Sequence, residues 1–199
     1  MRLLSFSLFC ALFLIGGCKQ LIMLRYGIKD PKIETRESIM KFSNKFNLDS
    51  NLVYIFKDTT SYFHYMRDSV FKKNAIGTLF FNRMGSMVDN SKRKNCQWSG
   101  CAFLNQFKKD SLYFTDSAFQ LNELLQKIIP VKENESVGFS EENDLTVISI
   151  WAKFVGKYNE RLFCISEIAA NRKDLKVKII YLNIDMLKEW NLKKSQMLQ

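Results

Sequence analysis

Apolar and polar positions along this chain follow two rhythms, and the change of rhythm marks its elements. Met1-Arg2 and an apolar run from Leu3 to Ile15 come first, followed by Gly16-Gly17-Cys18. Residues 19–34 keep no period and hold the turn signal Asp30-Pro31, which makes them a lead-in. Thr35 as N-cap, Glu37 in a first turn, and Ile39, Phe42 and Phe46 at helical spacing predict a helix. Asn51-Leu52-Val53-Tyr54-Ile55-Phe56 predicts a strand. Thr60 to Phe71, with Tyr62, Phe63 and Tyr65, fits a helix or an irregular aromatic segment. Gly77 to Asn82 and Met87 to Asp89 predict a hairpin about Arg83-Met84-Gly85-Ser86, its glycine placed where a positive φ is needed. A polar loop from Asn90 to Gln97 leads to Ser99, the N-cap of a short helix through Phe107. Ser117-Ala118-Phe119-Gln120 fits a capping box, opening a helix that carries Phe119, Leu121, Leu124, Leu125 and Ile128 and closes at Pro130.

Lys132 to Asp144 is a charged, acid-leaning connector. Beyond it, Leu145 to Ala152 predicts a buried strand, and Tyr158 to Asn171 a helix with Leu162, Ile165, Ile168 and Ala169 on one face. Val177 to Asp185 predicts a second strand, and a last helical stretch starts near Met186. Strand, helix and strand at this crossover length predict a parallel pair in an α/β sheet. The 199 residues fit one domain with an N-terminal extension. At 47% hydrophobic and 25% charged, the composition is that of a folded chain, and 17 Phe, 7 Tyr and 3 Trp supply a large core. His64 is the one histidine of the sequence, which argues against His-based metal sites and His-dependent triads.

The N-terminus resembles a bacterial lipoprotein signal. A short positive region, about 13 apolar residues and Ile15-Gly16-Gly17-Cys18 form a lipobox-like run, too short for a permanent membrane span. The resemblance implies removal of residues 1–17, lipid on Cys18, and a lipidated tether over 18–34 ahead of a domain at 35–199. Lys19 follows the cysteine where an aspartate would signal inner-membrane retention, so the expected place is the outer membrane, facing the periplasm.

The segment from Val147 to Asp185 resembles the first βαβ unit of a thioredoxin-like domain of the periplasmic, membrane-anchored kind. It carries Trp151-Ala152 at the strand end, Gly156 in the following turn and Asn183-Ile184-Asp185 at the end of the second strand. Val155 and Tyr158 stand where the family has its two catalytic cysteines, so Trp151, Val155, Gly156 and Tyr158 mark a degenerate active site. The hairpin from Gly77 to Val88 is similar to the one in the second half of such domains, but here it comes first. Either one thioredoxin-like three-layer α/β sandwich is assembled in permuted order, or one of the two resemblances is accidental.

Valine and tyrosine form no mixed disulfide, and a helix N-terminus activates only a thiol. The resemblance therefore implies a non-catalytic domain that binds a protein or peptide partner, without cofactor or metal. An alternative is a thiol-disulfide oxidoreductase using Cys96 and Cys101. Their Cys-x₄-Cys spacing fits either a structural disulfide stapling a polar loop or a relocated redox pair. Cys164, beside Leu162 and Ile165, reads as a buried small hydrophobe, and Cys96, Cys101 and His64 lack a fourth zinc ligand. The formal charge of +10 includes the runs Lys92-Arg93-Lys94 and Lys108-Lys109. On an exported chain these point to solvated faces or anionic headgroups rather than nucleic acid.

Overall fold

The computed structural model describes residues 23–68, 75–88, 100–109, 113, 115–132 and 142–192. Its strands are β1 (Val53–Phe56), β2 (Gly77–Asn82), β3 (Ser86–Val88), β4 (Thr115–Gln120), β5 (Ile128–Pro130), β6 (Leu145–Trp151) and β7 (Val177–Asn183). They join in one mixed sheet of order β4-β3-β2-β6-β7-β1-β5. The helices are α1 (Arg36–Asn44), α2 (Thr59–Arg67), α3 (Gly100–Gln106), α4 (Leu121–Leu125), α5 (Glu160–Phe163) and α6 (Ile165–Asn171). The α/β class read from the sequence holds.

The sheet grows outward from β6, all seven of whose residues are buried. β6 and β7 run parallel and adjacent, from Leu145 opposite Val177 to Trp151 opposite Asn183, as the crossover length predicts. β1 is parallel to β7 on the far side. β2 lies antiparallel against the other flank of β6, from Gly77 opposite Ile150 to Asn82 opposite Leu145. The β2–β3 hairpin and the β6–β7 unit therefore share one sheet, and Gly85 at φ 78° makes the turn between the hairpin strands.

Alternation along the strands loads both faces. Tyr54 and Phe56, Leu79 and Phe81, Ile148 and Ile150, and Ile180 and Leu182 pack with Tyr62 and Tyr65 of α2 and Leu121, Leu124 and Leu125 of α4. The opposite face puts Val53, Ile55, Trp151 and Tyr181 against Ile39 of α1 and Leu162 of α5. Further along it, Phe80 and Val147 meet Phe103 and Leu104 of α3 and Ile165 of α6. Helices thus cover both sides. At roughly 25 cal/mol per Å² of apolar surface removed from water, this double burial is the main stabilising contribution.

Three expectations change. The helix expected from Ser117 to Ile128 is a strand, a short helix and another strand. β4 pairs with β3 across a register shift between Ser86 and Met87, α4 spans five residues, and β5 pairs with β1. The helical spacing nevertheless marked real core positions, because Phe119, Leu121, Leu124, Leu125 and Ile128 all enter one cluster. What it missed is the demand of β3 and β1 for hydrogen-bonding neighbours. Pro130 does not close a helix but sits in edge strand β5, where a missing N–H is tolerated. The helix expected over 158–171 starts as a 3₁₀ stretch, Lys153–Asn159, and its remainder is split at Cys164 into α5 and α6. After Met186 the described chain holds only a 3₁₀ turn, Lys188–Trp190.

Candidate functional site

In open α/β sheets the space beyond the carboxyl ends of parallel strands is where ligands are bound. Here β6 ends at Trp151 and β7 at Asn183, side by side. Trp151 is fully buried, stacked on Phe42 of α1 at 5.7 Å and edge-on to Phe163 at 5.7 Å. The chain then turns through Gly156, at φ 56° and ψ −129°. The Asn159 side chain closes this turn by donating to the carbonyls of Ala152 at 2.8 Å and Gly156 at 3.0 Å.

Asp185 lies at the centre of this end and is only 4% exposed. Its Oδ2 accepts the main-chain N–H of Lys153 at 2.7 Å and the Asn183 side-chain amide at 2.8 Å. Its own N–H donates to Asn183 Oδ1 at 3.1 Å. Burial pushes the Asp185 carboxyl up to about 6; the two donors and the Lys153 charge oppose that, and Glu34 adds to it. Tyr62 is raised as well, first by burial and then by the nearby Asp185 charge. Lys153 turns its ammonium to Glu34, which also accepts from the Ser38 hydroxyl at 2.6 Å. Burial raises the Glu34 carboxyl, but these donors outweigh it and leave the group below its ordinary value.

The lead-in expected as a tether is strapped across this end over residues 23–34. Lys29 donates its main-chain N–H to Phe154 O at 2.7 Å, and Glu34 does the same to Met186 O at 2.8 Å. Glu34 and Leu187 form a parallel bridge. The Tyr26 ring meets Tyr158 edge-on at 5.7 Å, and the Arg161 guanidinium lies over both rings while donating to Tyr26 Oη at 2.7 Å. A Cβ on Gly156 would sit 2.4 Å from Tyr26 O and 2.5 Å from Gly27 O, so glycine here serves both the turn and the strap. Beside the strap, a cleft of about 540 Å³ separates Thr35–Glu37 from Leu187–Asn191, with Arg36 and Glu189 paired at 2.8 Å.

The structure thus brings Trp151, Val155, Gly156 and Tyr158 into one turn, with Val155 buried and Tyr158 under the strap. It also gathers Glu34, Lys153, Asn159, Asn183 and Asp185, of which sequence reading noted only the Asn183–Asp185 pair. Glu34 and Lys153 are 119 positions apart, beyond any local signal.

The cysteines require a correction. Cys101 is bonded not to Cys96 but to Cys164, with Cα atoms 6.0 Å apart. Cys101 lies in the first turn of α3, which packs against α6 and the β2–β6 face, so its side chain points into that interface. Cys164, read as a plain hydrophobe, sits at the α5–α6 break and supplies the partner sulfur. Cys18, Cys96, Ser99, Trp98 and the run Lys92-Arg93-Lys94 lie outside the described residues. His64 faces Lys127 Nζ at 3.1 Å. Among the described residues no three His, Cys, Asp or Glu side chains group as metal ligands, and no helix is long and apolar enough to cross a membrane.

Against known proteins, the chain matches no family model, no curated sequence and no solved structure.

Proposed function

We propose that this protein is a lipid-anchored domain of the bacterial cell envelope that binds a protein or peptide partner and performs no thiol chemistry at the turn after β6. Residues 1–17 are its signal, and Cys18 carries the lipid that holds it to the outer membrane, facing the periplasm. Its fold is a thioredoxin-like core in permuted order. The arrangement supporting this is β6–β7 in parallel with the β2–β3 hairpin antiparallel beside it, the hairpin coming first in the chain. The observation that carries the functional reading is the strapped turn: Val155 and Tyr158 replace both thiols, and Tyr26 and Gly27 cover Gly156 between them. The aromatic and polar groups around Asp185 then serve as a scaffold rather than a redox centre.

Two measurements on the full chain test this. Metabolic labelling with an alkyne-bearing fatty acid should mark the wild-type protein and not Cys18→Ala; a label that survives the substitution overturns the anchor. In a disulfide-reduction assay the purified protein should not exceed the rate of its dithiol reductant alone. Turnover that disappears in Cys101→Ser would overturn the non-catalytic reading in favour of an oxidoreductase.

A further inference from the structure

We infer that the strapped end of the domain is a docking face for an anionic phospholipid surface. This rests on the acylation of Cys18 and adds to it which side of the domain meets the bilayer. The first argument is chain length. Five positions separate Cys18 from Met23, a reach of at most about 18 Å even when extended. A domain of about 165 residues is roughly 40 Å across. The strap is fixed to the domain by the Lys29–Phe154 hydrogen bond and the Tyr26–Tyr158–Arg161 cluster. The anchor therefore emerges from the carboxyl end of β6 and cannot pass to the opposite end.

Surface chemistry is the second argument. Leu24, in the helical turn over 23–26, is 80% exposed and is the most N-terminal exposed large apolar side chain among the described residues. On the strap and the turn it covers, Arg25, Lys29, Lys32, Lys157 and Arg161 are exposed, with Asp30 and Glu160 as exposed acids; Glu37 and Glu189 line the cleft beside it, Glu189 paired with Arg36. A basic side chain held close to an anionic membrane contributes on the order of 1 kcal/mol, within a Debye length of about 10 Å. Tyrosine suits the headgroup layer, its ring apolar and its hydroxyl wet, and Tyr26 and Tyr158 stand on this face. The far end of the parallel strands carries Lys109 and Lys176 at Asp144, with Lys173 exposed in the connection that leads into β7, about one β6 length away.

Lysine footprinting of the full acylated chain in vesicles tests the inference, using an amine-reactive ester read by mass spectrometry. In phosphatidylcholine containing one-third phosphatidylglycerol, Lys29, Lys32 and Lys157 should react several-fold more slowly than in phosphatidylcholine alone. Lys109, Lys173 and Lys176 should react equally in both. High salt, or the pair Leu24→Ser with Arg25→Glu, should abolish the difference. Equal labelling in the two vesicles overturns the docking face, as does protection that ignores lipid charge. Protection seen only in native membranes, and not in protein-free vesicles, assigns the face to a protein partner and also overturns it. The same spectra report the acyl mass on Cys18: its absence overturns the anchor and this inference together, whereas an acylated chain with unprotected lysines overturns the docking face alone.

Discussion

Lys153 holds Asp185 with one nitrogen and Glu34 with the other: its main-chain N–H meets Asp185 Oδ2 at 2.7 Å, and its ammonium pairs with Glu34 of the strap. A single residue thus links the buried carboxyl at the sheet end to the segment lying over it.

That carboxyl gives a signed pH dependence. Asp185 is raised from 3.8 to about 6 in the folded chain, so the native state holds this proton more tightly than the unfolded one. Its contribution to stability is complete below about pH 3.8 and is lost as pH rises through about 6. Two units correspond to about 3 kcal/mol. Asp185→Asn keeps an oxygen for the Lys153 N–H and removes the ionisation. Urea unfolding should show the variant gaining on the wild type between pH 4 and 7, by up to about 3 kcal/mol. A constant offset across that range would contradict the burial of the charged group.

Arg172 closes the end of α3. Its guanidinium donates to Leu104 O at 2.6 Å, Asn105 O at 3.2 Å and Phe107 O at 2.6 Å, carbonyls at the stop of a helix, where the intrahelical ladder ends. Asp174 holds the same group from the other side at 2.6 and 2.8 Å. Arg172→Ala should cost about 2 kcal/mol in denaturant unfolding. Arg172→Lys should restore less than half of that, since one ammonium cannot reproduce a planar fork.

The Cys101–Cys164 bond should behave as a structural staple. It closes a loop between residues 63 positions apart, for which the chain-entropy model gives about 4 kcal/mol as an upper figure. Cys101→Ala, Cys164→Ala and the double variant should each lose about 2–4 kcal/mol. All three losses should be equal, because each removes the same bond. Additive losses in thermal unfolding would show that the two sulfurs act separately.

Local chemistry was readable wherever one residue decides one turn. Thr35 caps α1 through Ser38 N, as its position before the apolar period implied, and the Ser38 side chain returns the bond to complete a capping box. Gly85 turns the hairpin. Asp58 caps α2 through Ser61 N at 2.7 Å, and its place ahead of Thr59-Thr60-Ser61 marks the aromatic segment as a helix. The parallel pair was legible because β6 and β7 are apolar runs at crossover distance. The β4–α4–β5 stretch was not, since its spacing fits a helix and only the two partner strands decide otherwise. The same holds for the site: Trp151 and Gly156 are visible in sequence, whereas Glu34 meets Lys153 only because the lead-in folds back.

The disulfide also gives the fold a topological character. The covalent ring from Cys101 to Cys164 contains β4, β5 and β6, while β1, β2, β3 and β7 lie outside it. Across the sheet the ring strands hold both edges and the centre, and each gap between them is filled by a pair from outside: β3 with β2, then β7 with β1. Neither half of the sheet can be completed by the ring alone. If the bond closes first, two strand pairs must intercalate into a loop already sealed; if the sheet forms first, oxidation merely locks it. The order of oxidation and assembly therefore decides whether the chain threads or clasps.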